Sequence, residues 1–136
     1  MKTKSDFAGF LDSYRASNIA IAEPFIDATL KGISESAANA LSHLDKLDKE
    51  CAASLKSTLE KIIKIANSTE ENREQQLNSI GIALRTLLEL HLTEIKRLQK
   101  LENAVRSVVL QFLAIAQKMD SIVVKNIAIS LGEKMS

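Results

Sequence analysis

Residues 104–131 read AVRSVVLQFLAIAQKMDSIVVKNIAISL, and the fold turns on how this stretch is covered. Apolar residues occupy most of the circumference of any helix drawn through it. Ser107, Gln111, Lys118, Ser121 and Lys125 recur at steps of mostly three, four or seven and mark one narrow polar stripe. A helix apolar over so much of its surface needs neighbours on several sides. It is no membrane span, because Arg106, Lys118, Asp120 and Lys125 interrupt every long apolar run.

The rest of the chain supplies candidate neighbours. With 4 glycines, 1 proline and 4% aromatic residues in 136, there is too little turn chemistry for a sandwich or barrel, and the composition reads as all-α. From upstream of the stretch and on into it, Leu77, Ile80, Leu84, Leu87, His91, Ile95, Leu98, Leu101, Val105, Val108, Phe112, Ile115, Met119 and Ile122 follow one another by threes and fours. That is the seam of a long bundle helix or a coiled coil. Asn67-Ser68-Thr69-Glu70-Glu71 marks a turn before it: Asn closes one helix, and Ser68 with Glu71 has capping-box spacing for the next. Ahead of the turn, Ala37, Leu41, Leu44, Leu47, Cys51, Leu55, Leu59, Ile62 and Ala66 form one apolar face over 34–66.

The N-terminal arm, 1–33, carries Phe7, Phe10, Leu11 and Tyr14 at helical spacing after Ser5 and Asp6. Fraying is expected at Ser17 and Asn18, with Pro24 in the first turn of a new helix and Lys31-Gly32 as its end. Gly132 is expected to stop the last helix.

These readings give a single helical domain over 1–136: an arm 1–33 broken at Pro24, a hairpin of 34–66 and 69–102, and an apolar helix 104–131. The matched lengths favour an up-down four-helix bundle with long antiparallel helices and a turn near Asn103. The alternative keeps the heptads unbroken, as a hairpin whose C-terminal helix runs on for about 95 Å at 1.5 Å per residue and oligomerises as a coiled coil.

For function, the charge of +1 is spread along the chain and makes no case for nucleic acid. Lys96, Arg97, Lys100 and Arg106, interleaved with Glu94 and Glu102, read as a solvated face. No secretory signal is expected at the N-terminus, since Asp6, Asp12 and Arg15 interrupt any apolar run there, and the lone Cys51 can form no internal disulfide. A buried thiol in a reducing, cytoplasmic setting follows. No nucleophile motif, phosphate loop or paired Glu-x-x-His is present, so no enzyme activity and no cofactor is expected. The hairpin would place His43 almost level with His91, and Glu94 follows His91 by three. Together they could hold a divalent metal, but the plainer reading leaves His91 a neutral, hydrogen-bonded seam residue and His43 at the solvent edge.

The expected function is therefore non-enzymatic: a helical interaction or assembly protein that binds itself or a protein partner through apolar helix faces. Leu101, Val105, Val108, Phe112, Ile115, Met119 and Ile122 are the expected interface. The alternative is a membrane-surface or membrane-active protein using 104–131, although its stripe lacks the strongly basic face such helices carry.

Overall fold

The computed structural model describes the backbone of residues 4–69 and 72–136 and the side chains of 23–69 and 72–136. It is all helix: α1 (Lys4–Leu41), α2 (Lys49–Ala66), α3 (Arg73–Arg97), α4 (Gln99–Lys118) and α5 (Ile122–Met135). No strand occurs among the described residues. α1 packs along α2 and α4, α3 against α2, α4 and α5, and α4 also against α5. Buried apolar side chains from all five helices join one cluster.

The inward faces follow the spacing as far as Met119, whereas Ile122 turns outward, and most helix ends differ from those expected. α1 passes through both expected breaks, so Pro24 lies inside it and Lys31-Gly32 does not end it. Ile26, Leu30, Ile33, Ala37 and Ala40 are buried along one stripe that a stop at Gly32 would cut in two. Gly32 lies against α4 instead: a Cβ there would run into the Gln111 side-chain amide oxygen, which would have to shift. Phe7, Phe10, Leu11 and Tyr14 lie outside the residues whose side chains are described.

The expected helix 34–66 is two helices. After Leu41 the chain tightens, with Ser42 and His43 amides donating to the Asn39 and Ala40 carbonyls. α2 begins where Asp48 caps it, its Oδ1 accepting the Cys51 amide at 2.8 Å. Leu44 is buried and Leu47 packs against the core, which is why the connection keeps helical spacing. At the next turn Asn67 does close α2, but α3 is capped by Asn72, whose side chain accepts the Gln75 amide at 3.0 Å. The proposed capping box needs Glu71, which lies outside the described residues.

The long seam does not run on as one rod. It breaks at Leu98, not near Asn103: this single extended residue (φ −116°, ψ 102°) donates its amide to Ile95 and accepts from Glu102 at 2.8 Å. The stretch 104–131 breaks again at Met119–Ser121, where Ser121 Oγ caps α5 by accepting the Val124 amide at 3.2 Å. Four expected elements thus become five. α5 folds back onto α3 at Gly81, where a Cβ would meet Ile127 Cγ2 at 2.6 Å and Phe112 Cζ at 2.8 Å. Gly132 is not a stop, because α5 continues to Met135.

Candidate functional site

α2 and α3 pack side by side, and the start of α2 faces the last turns of α3. Cys51 stands in the first turn of α2, held there by the Asp48 cap. On α3, His91 faces it: Cys51 Sγ lies 3.6 Å from His91 Nδ1, and Ser54 Oγ lies 2.8 Å from His91 Nε2. Ser54 is three residues beyond Cys51, so one face of α2 addresses both ring nitrogens. Asp48, Cys51, Glu94 and Leu98 line a shared recess, with Lys46 and Arg97 among its other walls. Burial pushes the Cys51 thiol above its ordinary value of 9.0, and the charges of Glu94 and then Asp48 push the same way. At neutral pH the group is therefore a thiol, not a thiolate.

This is not the pairing expected from the sequence. His43 lies in the connection after α1, in a recess shared with Leu98, Gln99, Lys100 and Leu101 at the start of α4. His91 and Glu94 remain together on α3, but the residue opposite them is Cys51. The later start of α3, at Arg73, moves the level of His91 along α2 by about one turn, and the helix packing carries it further, to Cys51 and Ser54. Among the described residues no group of three or more His, Cys, Asp and Glu could hold a metal ion.

Two further polar clusters hold helices in register. Between α1 and α4, Gln111 Nε2 donates to Ser36 Oγ at 3.0 Å and to the Ser107 carbonyl at 3.1 Å, and the Ser36 and Ser107 hydroxyls are 3.0 Å apart. Ser107 and Gln111 thus face α1, and Ser121 is a buried cap, so the polar stripe of 104–131 is not one solvent face. At the opposite end from Cys51, Arg73 of α3 donates to Glu23 at 3.2 Å and to Asp27 of α1, and to Gln76 Oε1 at 3.0 Å. Gln76, only 2% exposed, donates from its amide nitrogen to the Ile65 carbonyl at 2.9 Å and so spans the α2–α3 turn. These residues carry structural hydrogen bonds. Capping and turn spacing gave no signal for them.

The expected interface is mostly internal. Leu101, Val105, Val108, Phe112 and Ile115 are buried in the chain's own core, Met119 is half-buried, and only Ile122 is exposed, at 77%. The reason is cover within the chain: α1 packs along α4, and α5 folds back onto α3 and α4. Exposed apolar side chains remain on several helices, Phe25 on α1, Ile82 and Leu90 on α3 and Leu110 on α4, but they gather most densely on α5, where Ile122, Val123 and Ile129 are each at least half exposed. Beside them runs a groove lined by Leu113, Ala116, Gln117, Lys125, Ala128, Ile129 and Gly132. Of the basic cluster, Lys96, Arg97 and Lys100 are exposed, while Arg106 pairs with Glu102 and donates to the Met135 carbonyl at 3.1 Å, tying down the end of α5. No described helix is long and apolar enough to cross a membrane.

No protein-family model, curated protein or solved structure matches this chain.

Proposed function

We propose that the protein is a non-enzymatic helical assembly protein that pairs with a second copy of itself through α5. The observation that carries this is the outer face of α5. Ile129 is 60% exposed, and Lys125 and Glu133, four residues before and after it, are exposed on the same face. A two-fold axis through Ile129 sets α5 antiparallel to its copy and brings Lys125 against Glu133 of the second copy, twice. Gly132 lies one turn from Ile129, and a Cβ there would meet nothing within 4 Å, so it leaves a notch for the other backbone. Ile122 and Val123 extend the apolar strip toward the N-terminus of α5.

The body behind this face reads as an up-down four-helix set of α1, α2, α3 and α4, with α5 as a fifth helix laid on α3 and α4. Its support is the cyclic order of neighbours: α1 beside α2, α2 beside α3, α3 beside α4, and α4 beside α1. The buried free Cys51 fits work in a reducing, cytoplasmic setting.

Sedimentation velocity over a concentration series tests the pairing. A reversible dimer is expected, weakened about tenfold by Lys125→Glu and restored by the double exchange Lys125→Glu with Glu133→Lys. Ile129→Asp leaves a folded monomer. A wild-type protein that stays monomeric throughout, or an Ile129→Asp variant that still dimerises, overturns the reading. A second reading, attachment to a membrane surface, draws on the same exposed Ile122, Val123 and Ile129 beside Lys125. Flotation with anionic vesicles that is lost in Ile129→Asp would favour it.

A further inference from the structure

We propose that the groove between α4 and α5 is a binding site for a free single-chain amphiphile with an anionic head, a medium-chain fatty acid carboxylate. The groove holds about 400 Å³, inside the roughly 300–1,000 Å³ that small-ligand sites span. Its polarity is graded from one end to the other. α4 and α5 run antiparallel: residues 119–121 alone connect them, and Arg106 of α4 holds the Met135 carbonyl at the end of α5. Gln117 and Lys125 therefore stand together at the connected end, and the walls beyond them are Leu113, Ala116, Ala128 and Ile129. Gly132 lines the far end, where a Cβ would meet nothing within 4 Å, so an alkyl tail has room there.

The polar end has donors to spare. Among the described residues the Lys125 ammonium has no ion-pair partner, the Gln117 side chain has no hydrogen-bond partner, and no carboxylate lines the groove. A carboxylate head accepts from both the ammonium and the amide N–H through its two oxygens, whereas an amine head would meet a like charge. The length sets the tail. Lys125 and Gly132 are seven residues apart, or about 10 Å along the helix. A zigzag of carbon–carbon bonds advances roughly 1.25 Å per carbon, so a tail of about eight carbons fills the groove. A groove of that length with one charged end fits a single chain; a bilayer surface would need only the exposed Ile122 and Val123 beside it. Lys125 and Ile129 also carry the pairing proposed above, so ligand and second copy compete for α5, a consequence that rests on that reading.

Full-length protein, at concentrations where sedimentation finds monomer, is titrated calorimetrically with sodium hexanoate, octanoate, decanoate and dodecanoate. One carboxylate per chain is expected. Half-buried in an open groove, the tail gains about twofold in affinity per added carbon, levelling off between octanoate and decanoate. Lys125→Gln weakens decanoate about tenfold and leaves uncharged decanol unchanged. Gly132→Leu places a side chain in space that is open in the native fold, and it abolishes binding of both with helix content intact by circular dichroism. Leu90→Ala, on the outer face of α3, binds as wild type. Affinity that climbs without levelling through dodecanoate, undiminished decanoate binding in Lys125→Gln or undiminished binding in folded Gly132→Leu overturns the proposal. So does flotation with anionic vesicles without saturable decanoate binding, which would make the face a membrane contact. Should the wild type never dimerise, the pairing falls and the calorimetry still decides this site; a dimer that persists at saturating decanoate overturns the competition.

Discussion

Gly81 and Gly132 carry the same missing side chain into opposite surroundings. At Gly81 an added methyl group would press on Ile127 and Phe112, both buried and packed from other helices, while at Gly132 it meets open space. Overpacking a core costs about 1–3 kcal/mol, whereas Gly to Ala in an open helix gains up to about 1 kcal/mol. Urea titration of the monomer is therefore expected to show Gly81→Ala losing stability and Gly132→Ala gaining it. If the two shift alike, α5 does not sit on Gly81. Cys51 offers a second test at this scale. Its thiol keeps its proton more tightly folded than unfolded, so raising the pH through 9.0 favours the unfolded chain. Relative to Cys51→Ala, the wild-type urea midpoint is expected to fall on the alkaline side of pH 9 and to run parallel below it. Alkylation of the native thiol should go on accelerating past pH 9 and stay far slower than in unfolded chain.

Helix ends are where this sequence was hardest to read, and the reasons differ from end to end. Asp48 and Ser121 are ordinary N-cap residues in plain view, but each sits in a run whose apolar spacing continues on both sides, while Asn72 lies in the polar run after Asn67, where Ser68 competes as the cap. Leu44 and Leu47 pack beneath the α1–α2 connection, so the heptads pass through a place where the helix does not. Leu98 has no breaker, cap or side-chain hydrogen bond to announce it; one extended residue redirects the chain and leaves the seam in phase. Burial was legible because it follows periodicity, which survives a one-residue break. The Cys51–His91 contact was not, because it depends on where α2 and α3 start and how they pack, and four residues at the start of α3 alone move the facing position by about a turn. The caps remain testable. Ser121→Ala removes the acceptor for the Val124 amide and is expected to cost about 1 kcal/mol, with Ser121→Thr retaining most of it. Equal loss in both variants would mean that packing, not capping, holds the residue.

At the scale of the molecule, the question is whether α5 is an appendage or part of the core. Val124, Ile127, Ala128, Leu131 and Met135 are buried, Lys134 reaches Glu89 of α3 at 3.8 Å, and Arg106 of α4 holds the Met135 carbonyl. These contacts address α3 and α4 together, and the apolar members belong to the same cluster as Ile33 of α1 and Leu59 of α2. Removing Leu131 beyond its Cβ leaves a cavity and costs about 2–5 kcal/mol, whereas Ile122, four-fifths in solvent, costs within about 0.5 kcal/mol when cut to Ala. If the core is one cooperative unit, the Leu131→Ala loss is shared: amide exchange should quicken together at Ile127 in α5, Leu84 in α3, Val108 in α4 and Leu59 in α2. Exchange that quickens in α5 alone would mean a helix that detaches while the rest stays folded. The shared response is expected because Gly81 lets α5 bed against α3, and Phe112 then touches both. A helix seated in that way is expected to leave only by opening the pair it covers, and the pairing proposed for its outer face, with Lys125, Ile129 and Glu133, depends on its staying seated.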